Sequence, residues 1–220
     1  MMANSVRAVV FDLDGTLLNT LEDLAAATNW ALRSNGMPER TLDDVRRFVG
    51  NGVRRLMEQA VPAGIDEARF ELVFSDFKRY YVAHCQDKTC LYDGIAEMLT
   101  ALKARGYHLA IVSNKLQAGV DELYERYFRG TVEVAVGERP AMQRKPAPDM
   151  VLTALKAMGV AVSEAIYVGD SDVDLATARN SGLPCVSVLW GFRDRPFLEA
   201  HGATCLIERP DQLLNLLPPR

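Results

Sequence analysis

The sequence predicts an α/β protein: a parallel sheet flanked by helices, interrupted once by a purely helical insertion. Three observations carry this. Residues 6–11 form an apolar run ending at Phe11, the pattern of a parallel strand buried on both faces. From Thr20 to about Gln86 the periodicity is helical throughout. After Asp93-Gly94, strand-like and helix-like segments alternate to the end of the chain, as in a parallel α/β sheet.

The elements follow in order. Thr20 and Asp23 have the spacing of a capping box, and Leu21, Leu24, Ala25, Thr28 and Leu32 form an apolar stripe that Gly36 and Pro38 end. Thr41 with Asp44 opens a second, short helix ending at Gly50. Val53, Leu56, Met57 and Ala60 predict a third. The stripe from Phe70 to Tyr81 marks a longer fourth and reads as the core of the insertion. Beyond Asp93-Gly94 the spacing predicts a helix over 95–105, a strand over 108–112, a helix near 117–127 and a strand at 132–136. A helix from Pro148 to Met158, a strand over 165–168, a helix over 173–181 and a strand over 185–189 come next. A short strand at 204–207 and a helix at 211–217 close the chain. The α/β core is therefore expected at 1–18 and 88–220, and a helical cap at 19–87. The insertion starts just past Asp12 and Asp14, so it is expected to cover them as a lid.

Composition narrows the function. The chain has 220 residues, 49% of them hydrophobic and 25% charged, enough for a substantial core. A net charge of -4 argues against nucleic acid as a partner. No apolar run approaches the ~20 residues that span a bilayer, and residues 6–11 are too short for a signal peptide. Cys85, Cys90, Cys185 and Cys205 form no CxxC pair, and the last two read as buried free thiols. A cytoplasmic, reduced protein is expected, without structural zinc or a membrane, as a monomer or homodimer.

Four segments at strand ends carry the chemistry: Asp12-Leu13-Asp14-Gly15-Thr16, Ser113-Asn114-Lys115, Arg144-Lys145-Pro146, and Gly169-Asp170-Ser171-Asp172-Val173-Asp174. Ligands of open α/β sheets bind outside the carboxyl ends of the strands. Paired carboxylates there repel unless a cation or proton lies between them. Asp12 and Asp170 suit a Mg²⁺ shell completed by waters and a substrate phosphate. Ser113 and Asn114 can donate to phosphoryl oxygens, and Lys145 can balance developing charge. These residue types fit phosphoryl transfer. Lys115 reads as a solvated or gating residue, and Asp172 as one of the acidic residues common at helix starts. Trp190-Gly191-Phe192 reads as core packing or a border of the site.

Taken together, these segments resemble motifs one to four of the haloacid dehalogenase superfamily, in the right order along nearly the whole chain. The resemblance implies a Rossmann-like parallel sheet core with an inserted all-helical cap domain of the C1 type. It implies Asp12 as a nucleophile forming an aspartyl-phosphate and Asp14 as general acid, then base, whose main-chain carbonyl also ligates Mg²⁺. Asp170 completes the metal site, and Asp174 supports it. Ser113 and Lys145 hold the phosphoryl group, helped by the amides of Leu13, Asp14 and Asn114. The name-giving dehalogenases lack the second aspartate of motif one, so the presence of Asp14 implies phosphate chemistry. Asp23-Leu24-Ala25-Ala26-Ala27, Phe48-Val49-Gly50-Asn51-Gly52 and Gly169-Asp170-Ser171 are similar to the phosphoglycolate phosphatases of that superfamily. Asn19-Thr20 and Trp190-Gly191-Phe192-Arg193 depart from their usual pattern. The implied reaction is Mg²⁺-dependent hydrolysis of a small phosphorylated metabolite, foremost 2-phosphoglycolate. The alternatives are a β-phosphoglucomutase-like phosphomutase, an inorganic pyrophosphatase and a nucleotidase. In the cap, Gly50, Asn51, Gly52 and Arg54 are expected to meet substrate, the arginine pairing with its carboxylate.

Overall fold

The first apolar run forms β1 (Ala8–Phe11), with every residue fully buried. A computed structural model describes residues 5–140 and 142–219. Along the chain follow β2 (Leu18–Asn19), α1 (Leu21–Ser34), α2 (Leu42–Phe48), α3 (Gly52–Ala60), α4 (Glu67–His84) and β3 (Cys90–Leu91). Next come α5 (Ile95–Ala104), β4 (His108–Leu116), α6 (Gln117–Leu123) with a π-helical turn over Tyr124–Phe128, and β5 (Val134–Glu138). The chain continues with α7 (Asp149–Met158), β6 (Ala165–Gly169), α8 (Asp172–Ser181), β7 (Cys185–Val188), α9 (Arg195–Ala200), β8 (Leu206–Ile207) and α10 (Asp211–Leu216). The chain divides into two compact units, Met1–Leu17 with Leu91–Arg220 and Leu18–Cys90.

In the first unit six strands form one parallel sheet in the order β5-β4-β1-β6-β7-β8. β1 lies in the interior, with Val10 opposite Ala110 on one side and Tyr167 on the other. Chain order reverses direction around β1, which makes its carboxyl end a topological switch point. One core cluster joins Ala8, Val10, Ala110, Val112 and Tyr167 of the sheet to Met150, Val151, Ala154 and Leu155 of α7. Each buried aliphatic side chain of this kind contributes roughly 1.5–3 kcal/mol. Such packing makes the sheet a rigid platform for the loops at its edge.

The second unit is helical, and aromatic side chains build its interior. Phe70, Phe74, Phe77 and Tyr81 are buried along one face of α4, and Trp30 of α1 stacks on Tyr80 with ring centroids 5.0 Å apart. Thr41 and Asp44 form the expected capping box of α2. Thr20 and Asp23 do not. Asp23 turns instead to the far end of the unit, where its carboxylate accepts from the amides of Lys88 and Thr89 and from the Thr89 hydroxyl. Three donors outcompete one local cap. The two-residue strands β2 and β3 pair as a small second sheet.

Other differences are local. β4 runs four residues past the expected end, because Leu116 resumes pairing with Glu138 after an irregularity. The expected strand at 132–136 lies two residues later, at β5. The helix α9 was not anticipated; Asp194 caps it, accepting from the amide of Phe197. All four cysteines are free; Cys185 and Cys205 are only partly buried as residues. Among the described residues, no helix is long and apolar enough to cross a membrane.

Candidate active site

Asp12 follows β1 directly, and its amide donates to Val168 O of β6. That bond sets the aspartate at the carboxyl edge of the sheet. There Asp12 Oδ1 lies 2.7 Å from Lys145 Nζ, both side chains being largely buried. Lys145 Nζ also donates to Asp174 Oδ1 at 2.8 Å and to the Tyr167 hydroxyl at 3.2 Å. The hydroxyl donates to the same Asp174 oxygen at 3.0 Å. Lys145 reaches this point from the loop before α7, whose peptide Lys145–Pro146 is cis. The Asn114 amide group holds that loop by donating to Lys145 O, and Asn180 donates to Pro146 O.

Asp174 uses both oxygens. Its Oδ2 accepts from the amides of Asp170 and Ser171 and from the Ser171 hydroxyl at 2.6 Å. Ser171 in turn caps α8 reciprocally with Asp174. The motif also needs Gly169: a Cβ there would overlap Asp174 itself. Asp174 is thus a fixed acceptor shared between Lys145 and the start of α8.

Asp170, 1% exposed, takes the Thr16 hydroxyl on Oδ1 at 3.3 Å and the Phe192 amide on Oδ2 at 2.7 Å. Asp14 faces the other side of the first loop. Its Oδ1 lies 3.4 Å from Lys115 Nζ, and its Oδ2 accepts from Ser113 Oγ at 3.5 Å. Lys115 is therefore not solvated. Its stem passes within 3.3 Å of where a Cβ on Gly119 would stand, and the ammonium is turned inward to Asp14.

Electrostatics follow from this crowding. Burial, reinforced by Asp174 and Asp170, raises the Asp12 carboxyl well above the usual carboxylate range, with Lys145 opposing. Burial and Asp174 push Asp170 up to about 7, against the Phe192 amide, Arg193 and Lys145. Burial works against a charged Lys145, yet Asp12 and Asp174 raise its pKa and keep it an ammonium. Burial and then Asp174 likewise raise the Tyr167 hydroxyl, so it stays a donor. Three buried carboxylates thus share one buried ammonium. Asp12, Asp170 and Asp174 each offer an oxygen within 4.8 Å of the others'. The surplus of negative charge and the all-oxygen donor set fit a hard divalent cation. Asp174 carries the most protein donors of the three, two on Oδ1 and three on Oδ2, against one on each oxygen of Asp170.

The expected core residues therefore come together at one sheet edge: Asp12, Asp14, Ser113, Asn114, Lys145, Asp170 and Asp174. Thr16 of the first segment and the Trp190–Phe192 turn, read from the sequence as core packing or a border of the site, join them, and so does Tyr167, which the sequence did not single out. A tyrosine in an otherwise small and aliphatic strand, and a Trp-Gly pair after a strand end, were the available signals. Asp172 opens α8 and lies 3.9 Å from Arg193 Nε, outside this cluster. In the helical unit, Gly50 and Gly52 have φ of 127° and 79° and flank Asn51, the N-cap residue of α3. Arg54 bonds to Glu67 and Glu71, pairs with Glu58, and lies over the rings of Phe70 and Phe74.

Comparison with known proteins agrees with this geometry. The model of the haloacid dehalogenase-like hydrolase family matches residues 9–188. A phosphoglycolate phosphatase of Xanthomonas campestris pv. campestris (strain 8004) is 36% identical over 211 residues, 94% of each chain. One from Aquifex aeolicus is 31% identical over 213 residues, 96% of this chain and 97% of that one. A crystal structure from Lactobacillus delbrueckii subsp. bulgaricus, described provisionally as a phosphoglycolate phosphatase, superposes with a TM-score of 0.92 at 35% identity. It covers 97% of this chain and 99% of its own. With the four loops converging on one buried carboxylate cluster and the match running through all of them, the chain belongs to the haloacid dehalogenase-like hydrolase family and is a phosphatase within it.

Proposed function

We propose that the protein is a Mg²⁺-dependent phosphomonoester hydrolase working through an aspartyl-phosphate on a small phosphorylated metabolite, 2-phosphoglycolate foremost. The observation that carries the mechanism is the Asp12 carboxylate, fixed at the end of β1, 2.7 Å from Lys145 and two residues from Asp14. The substrate reading rests on the relatives named phosphoglycolate phosphatase at 31–36% identity.

In the first step an Asp12 oxygen attacks phosphorus and the bond from phosphorus to the alcohol oxygen breaks. Asp14 gives its proton to that departing oxygen. In the second step Asp14, now a carboxylate, takes a proton from water. The water oxygen attacks phosphorus, the bond to Asp12 breaks, and phosphate leaves. Ser113 and the amides of Leu13, Asp14 and Asn114 hold the phosphoryl oxygens, and Lys145 steadies Asp12 and the transferred group. Held by Asp12, Asp170 and the Asp14 main-chain carbonyl, Mg²⁺ would neutralise charge on the phosphoryl oxygens. Ser113 and Lys115 hold the Asp14 carboxylate in place between the two steps. Choice of ester is assigned to the segment Gly50, Asn51, Gly52 and Arg54, supported by the two left-handed glycines there.

A phosphate-release screen over 2-phosphoglycolate, sugar phosphates, nucleotides and pyrophosphate tests the reading. The highest kcat/KM is expected for 2-phosphoglycolate, without a bisphosphate activator. Asp12→Asn should lose at least about 10³-fold in kcat while remaining folded; retained turnover would sink the nucleophile assignment.

A further inference from the structure

Asp170 is built into a bracket of which the four family motifs supply only one half. One half of the bracket is the first loop, where Gly15 has φ +91° and a Cβ would lie 2.5 Å from Asp170 Oδ2 and 2.8 Å from the Phe192 ring. The other half is the turn after β7. A Cβ on Gly191 would overlap the Asp170 Cβ and lie 2.5 Å from both Asp170 Oδ2 and Gly15 O. So the two main chains close on the carboxylate from opposite sides with no room for a methyl on either. Hydrogen bonds lock the halves together. Phe192 N–H donates to Asp170 Oδ2 at 2.7 Å, and the Thr16 hydroxyl donates to Oδ1 at 3.3 Å. Trp190 Nε1–H crosses back to Thr16 O at 2.9 Å.

We propose that the Trp190-Gly191-Phe192 turn is a positioning element for Asp170, fixing its carboxylate for the divalent cation and thereby setting metal affinity. The inference rests on the metal reading above. A carboxylate free to rotate must be ordered when a cation binds, whereas here two donors and two glycine backbones have already ordered it. Outer partners of this kind typically govern about 10–100-fold in metal affinity. Gly191 acts through the space it leaves, Phe192 through its amide, and Trp190 by tying the turn to the loop that carries Asp12 and Asp14.

Calorimetric titration with Mg²⁺, and with Mn²⁺ as a second probe, tests this on the full chain. Circular dichroism of the metal-free proteins monitors folding. Wild type should bind, and Asp170→Asn should not. Gly191→Ala is expected to raise the metal Kd at least about tenfold. A folded Gly191→Ala protein with a Kd within about twofold of wild type would overturn the inference. If Gly191→Ala does not fold, Trp190→Phe decides. It removes the Nε1–H donor while keeping an aromatic ring: a Kd raised threefold or more supports the role, and an unchanged Kd overturns it. Absence of binding by the wild type would overturn the underlying metal reading, a result distinct from wild-type binding that Gly191→Ala leaves untouched.

Discussion

The two units each gather three carboxylates around one cation, and they do so in opposite surroundings. At the sheet edge, Lys145 meets Asp12 and Asp174 with side chains 3%, 10% and 0% exposed, and Asp170 lies close by. In the helical unit, Arg54 meets Glu58, Glu67 and Glu71 with side chains 39%, 38%, 78% and 46% exposed. The charge ratio is the same. Water screens the second set, so its short pairs contribute little to stability. Without water, the first set pushes two carboxyls upward and binds its lysine tightly. A buried cluster with surplus negative charge is a latent metal site; an exposed one is surface.

Deleting each cation should give the widest contrast. Lys145→Met leaves buried carboxylates uncompensated, and denaturant unfolding of the metal-free protein should show a loss of roughly 3–5 kcal/mol. A loss below about 1 kcal/mol would mean the carboxyls simply take up protons, erasing the distinction drawn above.

Acidity should separate the units next. Asp170 has a folded pKa of about 7, against roughly 3.9 in an unfolded chain. Between those values the native state holds a proton that the unfolded state has lost, so stability falls as pH rises. Asp12 shifts in the same direction and adds to the slope. With chelator present, Tm should decline from pH 5 to 7.5, and saturating Mg²⁺ should flatten the decline. A flat profile without metal would argue that the cluster is not desolvated.

A smaller effect is expected of Tyr167→Phe. It deletes the hydroxyl that donates to Asp174 and accepts from Lys145, and should cost about 1–2 kcal/mol in chemical denaturation. No change would mean that Lys145 alone satisfies Asp174.

Arg54→Met should scarcely move Tm. It should raise KM for 2-phosphoglycolate by about tenfold, the equivalent of one lost charge contact of ~1.4 kcal/mol, and leave KM for p-nitrophenyl phosphate alone. An unmoved KM for both would assign Arg54 to its glutamates and the underlying phenylalanines.

Local patterns in the sequence revealed the motifs, because a strand ending in Asp12-Leu13-Asp14 or Gly169-Asp170 is written in consecutive residues. They could not reveal partners distant along the chain. Trp190 bonds to a carbonyl 174 residues away, and Asp23 ignores its local cap for donors 65 and 66 residues on. Tyr167 looked like any buried strand residue until α8 and the Lys145 loop folded against it. The solvated reading of Lys115 failed because its burial depends on the fold that brings Asp14, 101 residues away, to its ammonium.

That long-range grip of Asp23 on Lys88 and Thr89 bears on how the insertion is closed. It cinches the start of a helical insert to its finish, while within the core Tyr92 N–H donates to Leu17 O. Closing so long an excursion carries an entropic cost that grows only slowly with its length, and the knot of hydrogen bonds offsets it at one spot. The two ends of the insert are thus held by bonds within the insert itself, from one aspartate to two consecutive residues.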